Sequence, residues 1–247
     1  MKPADIEAIE RATIAAVSPQ AVEELPEGWL LPFDRSTVSR AKTALPLRHE
    51  TPGPGLVERI EARYDANGLP SAFRLPDAPC FDAMREALAQ RGYGAHKATV
   101  TQIGHAKAMR TLTAGTPAEI DTAPDTSWES VFLGPGFDPV DGASRVRALS
   151  RASGTLFASV REDGRTVAAG AIAFGHGWAS VHGMRTEQAA RGRGLAGRVL
   201  AGLAQAALAR GVERVFLQVE AGNAAALSLY RRAGFSPAWR YAYWQPA

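Results

Sequence analysis

The chain has 247 residues, 46% of them hydrophobic, with 28 basic and 25 acidic side chains and a formal net charge of +3. That apolar fraction supports a sizeable core and excludes a disordered chain. The single cysteine, Cys80, excludes an internal disulfide framework and fits a reducing compartment.

No apolar run resembles a leader or reaches membrane-spanning length, and no basic run of five or more is present. A soluble, cytoplasmic protein is therefore expected, with neither a membrane nor a nucleic acid as partner.

In chain order, residues 28–33 and 37–47 read as strands. Gly55 opens a helix over 56–67 that Gly68 closes, residues 71–75 form a short strand, and a helix over 81–91 stops at Gly92. Residues 97–103 form a closing strand. Proline and glycine are dense over 113–143, which reads as a linker, with Trp128 and Phe132 suggesting one short helical turn inside it. Residues 144–153 then read as a helix. Strands over 155–161 and 166–174 flank Glu162-Asp163-Gly164-Arg165, a strong hairpin signal. A strand over 178–186 precedes a helix from Leu195 to Arg210 that sets Leu195, Val199 and Leu203 on one face. Val215, Leu217 and Val219 alternate as a strand, Asn223 caps a helix that Gly234 stops, and residues 240–244 form an aromatic last strand.

The two halves echo each other. Gly55 lies 139 residues before Gly194, and Gly92 lies 142 before Gly234. That near-constant offset suggests a duplicated unit. The expected architecture is α/β, with two related halves whose mixed, mostly antiparallel sheets are flanked by helices. The expected division is 1–112, a linker over 113–124, and 125–247.

Chemistry concentrates at Arg191-Gly192-Arg193-Gly194-Leu195-Ala196, between a strand and a helix. Glycines there let the backbone approach a ligand, and free N–H groups at a helix start bind anions. All 14 basic residues after position 120 are arginines, the better forks for phosphate. A dinucleotide-binding reading is poorer, because the third glycine is out of place and the preceding strands form antiparallel hairpins.

Two segments together resemble the GNAT acetyltransferase superfamily. The pattern Gln/Arg-x-x-Gly-x-Gly/Ala is matched by Arg191, Gly194 and Ala196. The pattern Asn-x-x-Ala-x-x-Leu-Tyr-x-x-x-Gly-Phe is matched by Asn223, Ala226, Leu229, Tyr230, Gly234 and Phe235. The resemblance covers residues 125–247 and extends, less specifically, to tandem proteins whose first half is degenerate.

The resemblance implies an N-acetyltransferase that uses acetyl-CoA as cosubstrate, without a metal, and transfers the acyl group directly to an amine. Arg191, Gly192, Arg193, Gly194, Leu195 and Ala196 would cradle the pyrophosphate, with Asn223 nearby. The backbone of Met184, Arg185 and Thr186 would pair with the pantetheine arm, and Tyr230 would protonate the departing thiolate. The base stays open: His182 is the titratable residue of its strand, also readable as structural, and Glu187 lies just past the strand's end.

The acceptor, a small-molecule or peptide amine, is expected between the halves, with Trp178, His182, Tyr241 and Tyr243 as possible walls. Pro52 and Pro54 deny the first half's loop two N–H groups, so that half is not expected to bind coenzyme A. A monomer is favoured over a homodimer. An aminoacyl-transferring tandem enzyme and a non-catalytic coenzyme A sensor are the alternatives.

Overall fold

The computed structural model describes residues 1–113 and 115–246. Helix α1 (Pro3–Val17) leads into β1 (Ala21–Leu25), β2 (Trp29–Phe33), a 3-10 turn at Ser39–Ala41 and the two-residue β3 (Leu45–Pro46). Next come α2 (Leu56–Ala66), β4 (Phe73–Pro76), α3 (Asp82–Gln90), the long β5 (Tyr93–His105), α4 (Ala106–Arg110) and β6 (Glu119–Asp121). Then follow α5 (Thr126–Leu133), α6 (Pro139–Arg151), β7 (Leu156–Glu162), β8 (Arg165–Gly175) and β9 (Trp178–Thr186). The chain ends with α7 (Leu195–Ala209), β10 (Arg214–Glu220), α8 (Ala224–Arg232) and β11 (Ser236–Pro246).

Strands β1-β2-β3 form a small sheet, and eight strands form a large one in the order β4-β11-β5-β10-β9-β8-β7-β6. The architecture is mixed α/β and mostly antiparallel, as expected. Strands β4 and β5 precede residue 112, yet both lie in the same large sheet as the strands that follow it.

Alternation along the central strands splits the core into two faces. Ala179 and Val181 of β9 pack with Val215, Leu217 and Val219 of β10 beneath Leu195, Val199 and Leu203 of α7. Trp178 and Phe216 point the other way, onto Ile9 and Ala12 of α1. On that second face α5 and α6 press Trp128, Phe132 and Leu149 onto β7 and β8. Each fully buried side chain of this size contributes roughly 1.5–3 kcal/mol. The Trp128 indole N–H finds carbonyl partners at Ala158 and Gly170, at 3.1 and 3.3 Å, so its burial leaves no donor stranded.

Three expected elements change. The strand expected over 37–47 is mostly a 3-10 turn and loop. Its apolar residues separate, Val38 and Ala41 packing with Val17 and Ala148 while Leu45 and Leu47 pack with Ile14 and Leu30. The linker expected over 113–143 contains β6, α5 and the start of α6. Asp125 caps α5 and Asp138 caps α6, and Pro139 starts α6 where its missing N–H costs nothing. The closing strand expected over 97–103 runs from Tyr93 to His105, pairing with β10 on one side and β11 on the other.

Candidate functional site

Strands β9 and β10 run parallel and pair only over Ala179–Val181 and Val215–Leu217. Beyond those residues β9 stays with β8, and β10 stays with β5. The two parallel strands therefore part, and the sheet opens between them. At the opening β9 also bulges: its register to β8 shifts between Arg185 and His182, and Gly183 has φ +60. A side chain there would be strained and would meet Leu149 at 2.9 Å, so glycine permits the bulge.

On the α7 side, this opening leads into a cleft of about 750 Å³. It is lined by Met184, Arg185, Thr186, Arg191, Gly192, Gly194, Leu195, Ala196, Asn223 and Tyr230. Residues separated by up to 46 positions are thus brought to one cleft. Gly192 and Gly194 hold φ +78 and +75, and a Cβ at either would meet nothing within 4 Å. Among the described residues, the amides of Gly192 to Ala196 have no hydrogen-bond partner. They lie at the positive end of α7, where each favourable charge–dipole contact is worth roughly 0.3–1 kcal/mol.

Arg193 does not line the cleft; its guanidinium forks onto Glu162 at 2.9 and 2.7 Å. Arg191 does line it, braced by a bond from Nε to the Thr186 carbonyl at 3.3 Å. Asn223 accepts from the Ala226 amide at 3.1 Å and so caps α8 while facing the cleft. Tyr230 is buried against Phe235, and burial pushes its phenol up to about 12. The hydroxyl is therefore protonated across the physiological range and can donate.

His182 lies elsewhere, on the α1 face. It is 6% exposed, burial and the nearby Arg40 push its imidazole down to about 3, and neither ring nitrogen has a partner among the described residues. Glu187, half-buried, pairs with the exposed Arg165 at 3.1 Å. Tyr241 and Tyr243 are buried on β11 with their hydroxyls 3.4 Å apart, and Trp178 packs between Phe216 and the Arg214 guanidinium.

Sequence reasoning missed Phe137, whose ring carries the Arg185 guanidinium at 3.9 Å and forms part of the cleft wall. It sits in Gly-Pro-Gly-Phe, which has no periodicity to read. The bulge at Gly183 did have a signal, a lone glycine inside a strand. Among the described residues, no helix is long and apolar enough to cross a membrane, and no cluster of three or more ligating side chains could hold a metal.

Comparison with known proteins gives the family and the fold. The chain is 26% identical over 245 residues to the uncharacterized N-acetyltransferase YobR of Bacillus subtilis, covering 97% of this chain and 98% of that one. Its fold matches a GCN5-related N-acetyltransferase from Kribbella flavida with a TM-score of 0.70 at 16% identity, over 98% and 95% of the two chains. It also matches a tandem GNAT protein from the clavulanic acid biosynthesis pathway, with a TM-score of 0.59 at 16% identity over 97% and 94%. The family described as "Probable histone acetyltransferase Rv0428c C-terminal" matches residues 3–244. A cleft of free amides at a helix start, a buried phenol and a family match across nearly the whole length lead to one assignment: the chain belongs to the Rv0428c C-terminal acetyltransferase family and carries the GNAT fold.

Proposed function

We propose that the protein transfers an acetyl group from acetyl-CoA directly to an amine. The observation that carries this reading is the row of unpartnered amides from Gly192 to Ala196, opening into the same cleft as Tyr230. Those amides and Arg191 would hold the pyrophosphate, and the β9 edge at Met184–Thr186, left unpaired where β10 departs, would receive the pantetheine amides as an added strand.

In the step itself, the amine nitrogen attacks the thioester carbon and the C–S bond breaks. Tyr230 gives its proton to the departing thiolate, and the proton lost by the amine restores the phenol. A free thiol has a pKa of about 8.5, below that of the buried phenol, so the phenol gives up its proton only as the amine's proton replaces it. Cys80 lines a different cleft, beside α3, which favours direct transfer over an acyl-cysteine.

In this reading residues 125–247 carry the chemistry, residues 1–112 shape the acceptor side, and 113–124 connect them. Supporting this, every cleft-lining residue except Leu112 and Thr113 lies at or beyond Phe137. The family's description names a histone acceptor; the charges described below favour a different class for this chain.

The test is calorimetric binding of acetyl-CoA, followed by thiol release with a panel of amines. Tight donor binding is expected, and Tyr230→Phe should lower kcat about 10²- to 10⁴-fold while leaving donor affinity near the parent value. Full turnover by Tyr230→Phe removes the phenol from the mechanism. Donor binding without thiol release for any amine makes the protein a sensor.

A further inference from the structure

His182 and Gly183 lie beside a second, smaller space on the α1 face of the sheet opening. It holds about 30 Å³ and is bounded by Val17, Val38, Arg40, Arg145, Leu149 and His182. That is room for one or two water-sized groups, such as an amino group. Gly183 lines this pocket and Met184, the next residue, lines the cleft on the other face, so the two spaces flank the bulge from opposite sides.

The charges around this pocket do not balance. The buried Arg74 is paired with Glu10, and Arg151 is paired with Asp34. Arg40 has no carboxylate within salt-bridge range among the described residues; its one bond runs from Nη1 to the Gln218 amide oxygen at 2.8 Å. Arg145 and Arg185 share a single carboxylate, Asp141, at 2.6 and 3.7 Å. Asp141 also accepts from the Thr37 hydroxyl at 2.8 Å, so it has little capacity left for an incoming amine. One Arg185 nitrogen is buried without a partner, as are both nitrogens of His182. Arg40 and Arg145, the two arginines that line the pocket, thus have one occupied carboxylate between them, beside an unpartnered imidazole.

We propose that this pocket receives the amino end of the acceptor, and that the half-buried arginines lining it select an amine that also carries a carboxylate. The inference rests on the acetyl-transfer reading above. The amino group would enter beside His182, which offers one ring nitrogen as acceptor and one as donor. The carboxylate would take the fork of Arg40, with Arg145 at the outer rim. Guanidinium and carboxylate match as planar, two-pronged partners, which favours a carboxylate over a compact neutral group. A lysine-rich peptide would bring further positive charge toward unmatched arginines and is disfavoured.

The experiment separates the two levels. Acetyl-CoA binding is measured first, by calorimetry, for the parent, Arg40→Ala and Arg40→Lys. Thiol release is then followed with an α-amino acid, its amide, the amine lacking the carboxylate, the matching aminophosphonate, and a lysine-rich peptide. The expected result is a preference of about tenfold or more in kcat/KM for the amino acid over its amide, consistent with one charge-assisted contact. Arg40→Ala should raise KM for the amino acid at least tenfold more than for the amine lacking the carboxylate, and keep the donor affinity of the parent; Arg40→Lys should recover part of the loss. If Arg40→Ala does not fold, Arg145→Ala, whose side chain reaches solvent, carries the same comparison. Donor binding with equal or better turnover of the amide, the neutral amine or the peptide overturns the acceptor assignment alone. Preference for the aminophosphonate overturns the choice of carboxylate. Failure to bind acetyl-CoA at all overturns the acetyl-transfer reading beneath it.

Discussion

His182 sits where a charge would be costly: buried among apolar side chains, with Arg40 adding repulsion to any proton it took up. Its folded-state value of about 3 lies below the ordinary 6.5, so the folded protein favours the neutral ring. As pH falls through 6.5 the unfolded chain takes up the proton first, and stability is lost progressively from there down to the folded value. Between pH 7 and 5 that loss is about 2 kcal/mol. His182→Asn should remove it. Denaturant unfolding of parent and variant at pH 7 and pH 5 isolates the effect, because any packing cost of the substitution is the same at both pH values. His49, also lowered by burial, acts in the same direction in both proteins and cancels. Asp34 and Asp141 are held below the usual carboxylate range by their hydrogen bonds and arginine partners, so their protonation destabilises only at lower pH. An equal pH response in the two proteins would mean that His182 is not the group responsible.

At the scale of elements, α6 decides where Asp141 and Arg145 stand, and its distance from α5 is set at one position. A Cβ on Gly142 would lie 2.1 Å from the Phe132 carbonyl oxygen, a backbone atom that cannot step aside. Helix propensity alone favours Gly142→Ala by up to about 1 kcal/mol. Overpacking against backbone costs about 1–3 kcal/mol and wins. The variant should therefore unfold at lower denaturant than the parent; an unchanged or raised midpoint would show that α5 and α6 can part freely.

The same element shows what could be read from the chain alone. The start of α6 was hidden because Pro139 looks like a breaker, whereas at the first helical position it is favourable and Asp138 supplies the cap. The loop before α7 was legible because its glycines, its arginines and the apolar period after them all point to one geometry. The second space at Gly183 was not. It depends on α1, the Val38–Arg40 segment and α6 meeting over β9, and no local pattern reports such a long-range meeting.

For the molecule as a whole, the proposed reading makes a statement about how many acyl donors one chain holds. The first half has its own cleft, of about 360 Å³, between the loop before α2 and helix α3. Its Gly55 caps α2 in the left-handed conformation at φ +70, as Gly194 caps α7 at φ +75. The backbone plan is thus alike at the two helix starts, but the chemistry differs. Pro52 and Pro54 have no N–H to offer, and Glu58, which lines this cleft, lies in the first turn of α2. Arg91, the one arginine lining it, is engaged by Glu58 and Glu61. An incoming diphosphate would meet a carboxylate at the helix end where anions are otherwise favoured. One acetyl-CoA per chain is therefore expected by titration calorimetry, all of it on the α7 loop. Gly194→Val, forcing a β-branched residue to φ +75, should abolish that single site. Residual donor binding in a folded Gly194→Val protein, or a stoichiometry near two in the parent, would place a functioning donor site in the first half and contradict the division of labour proposed between the two clefts.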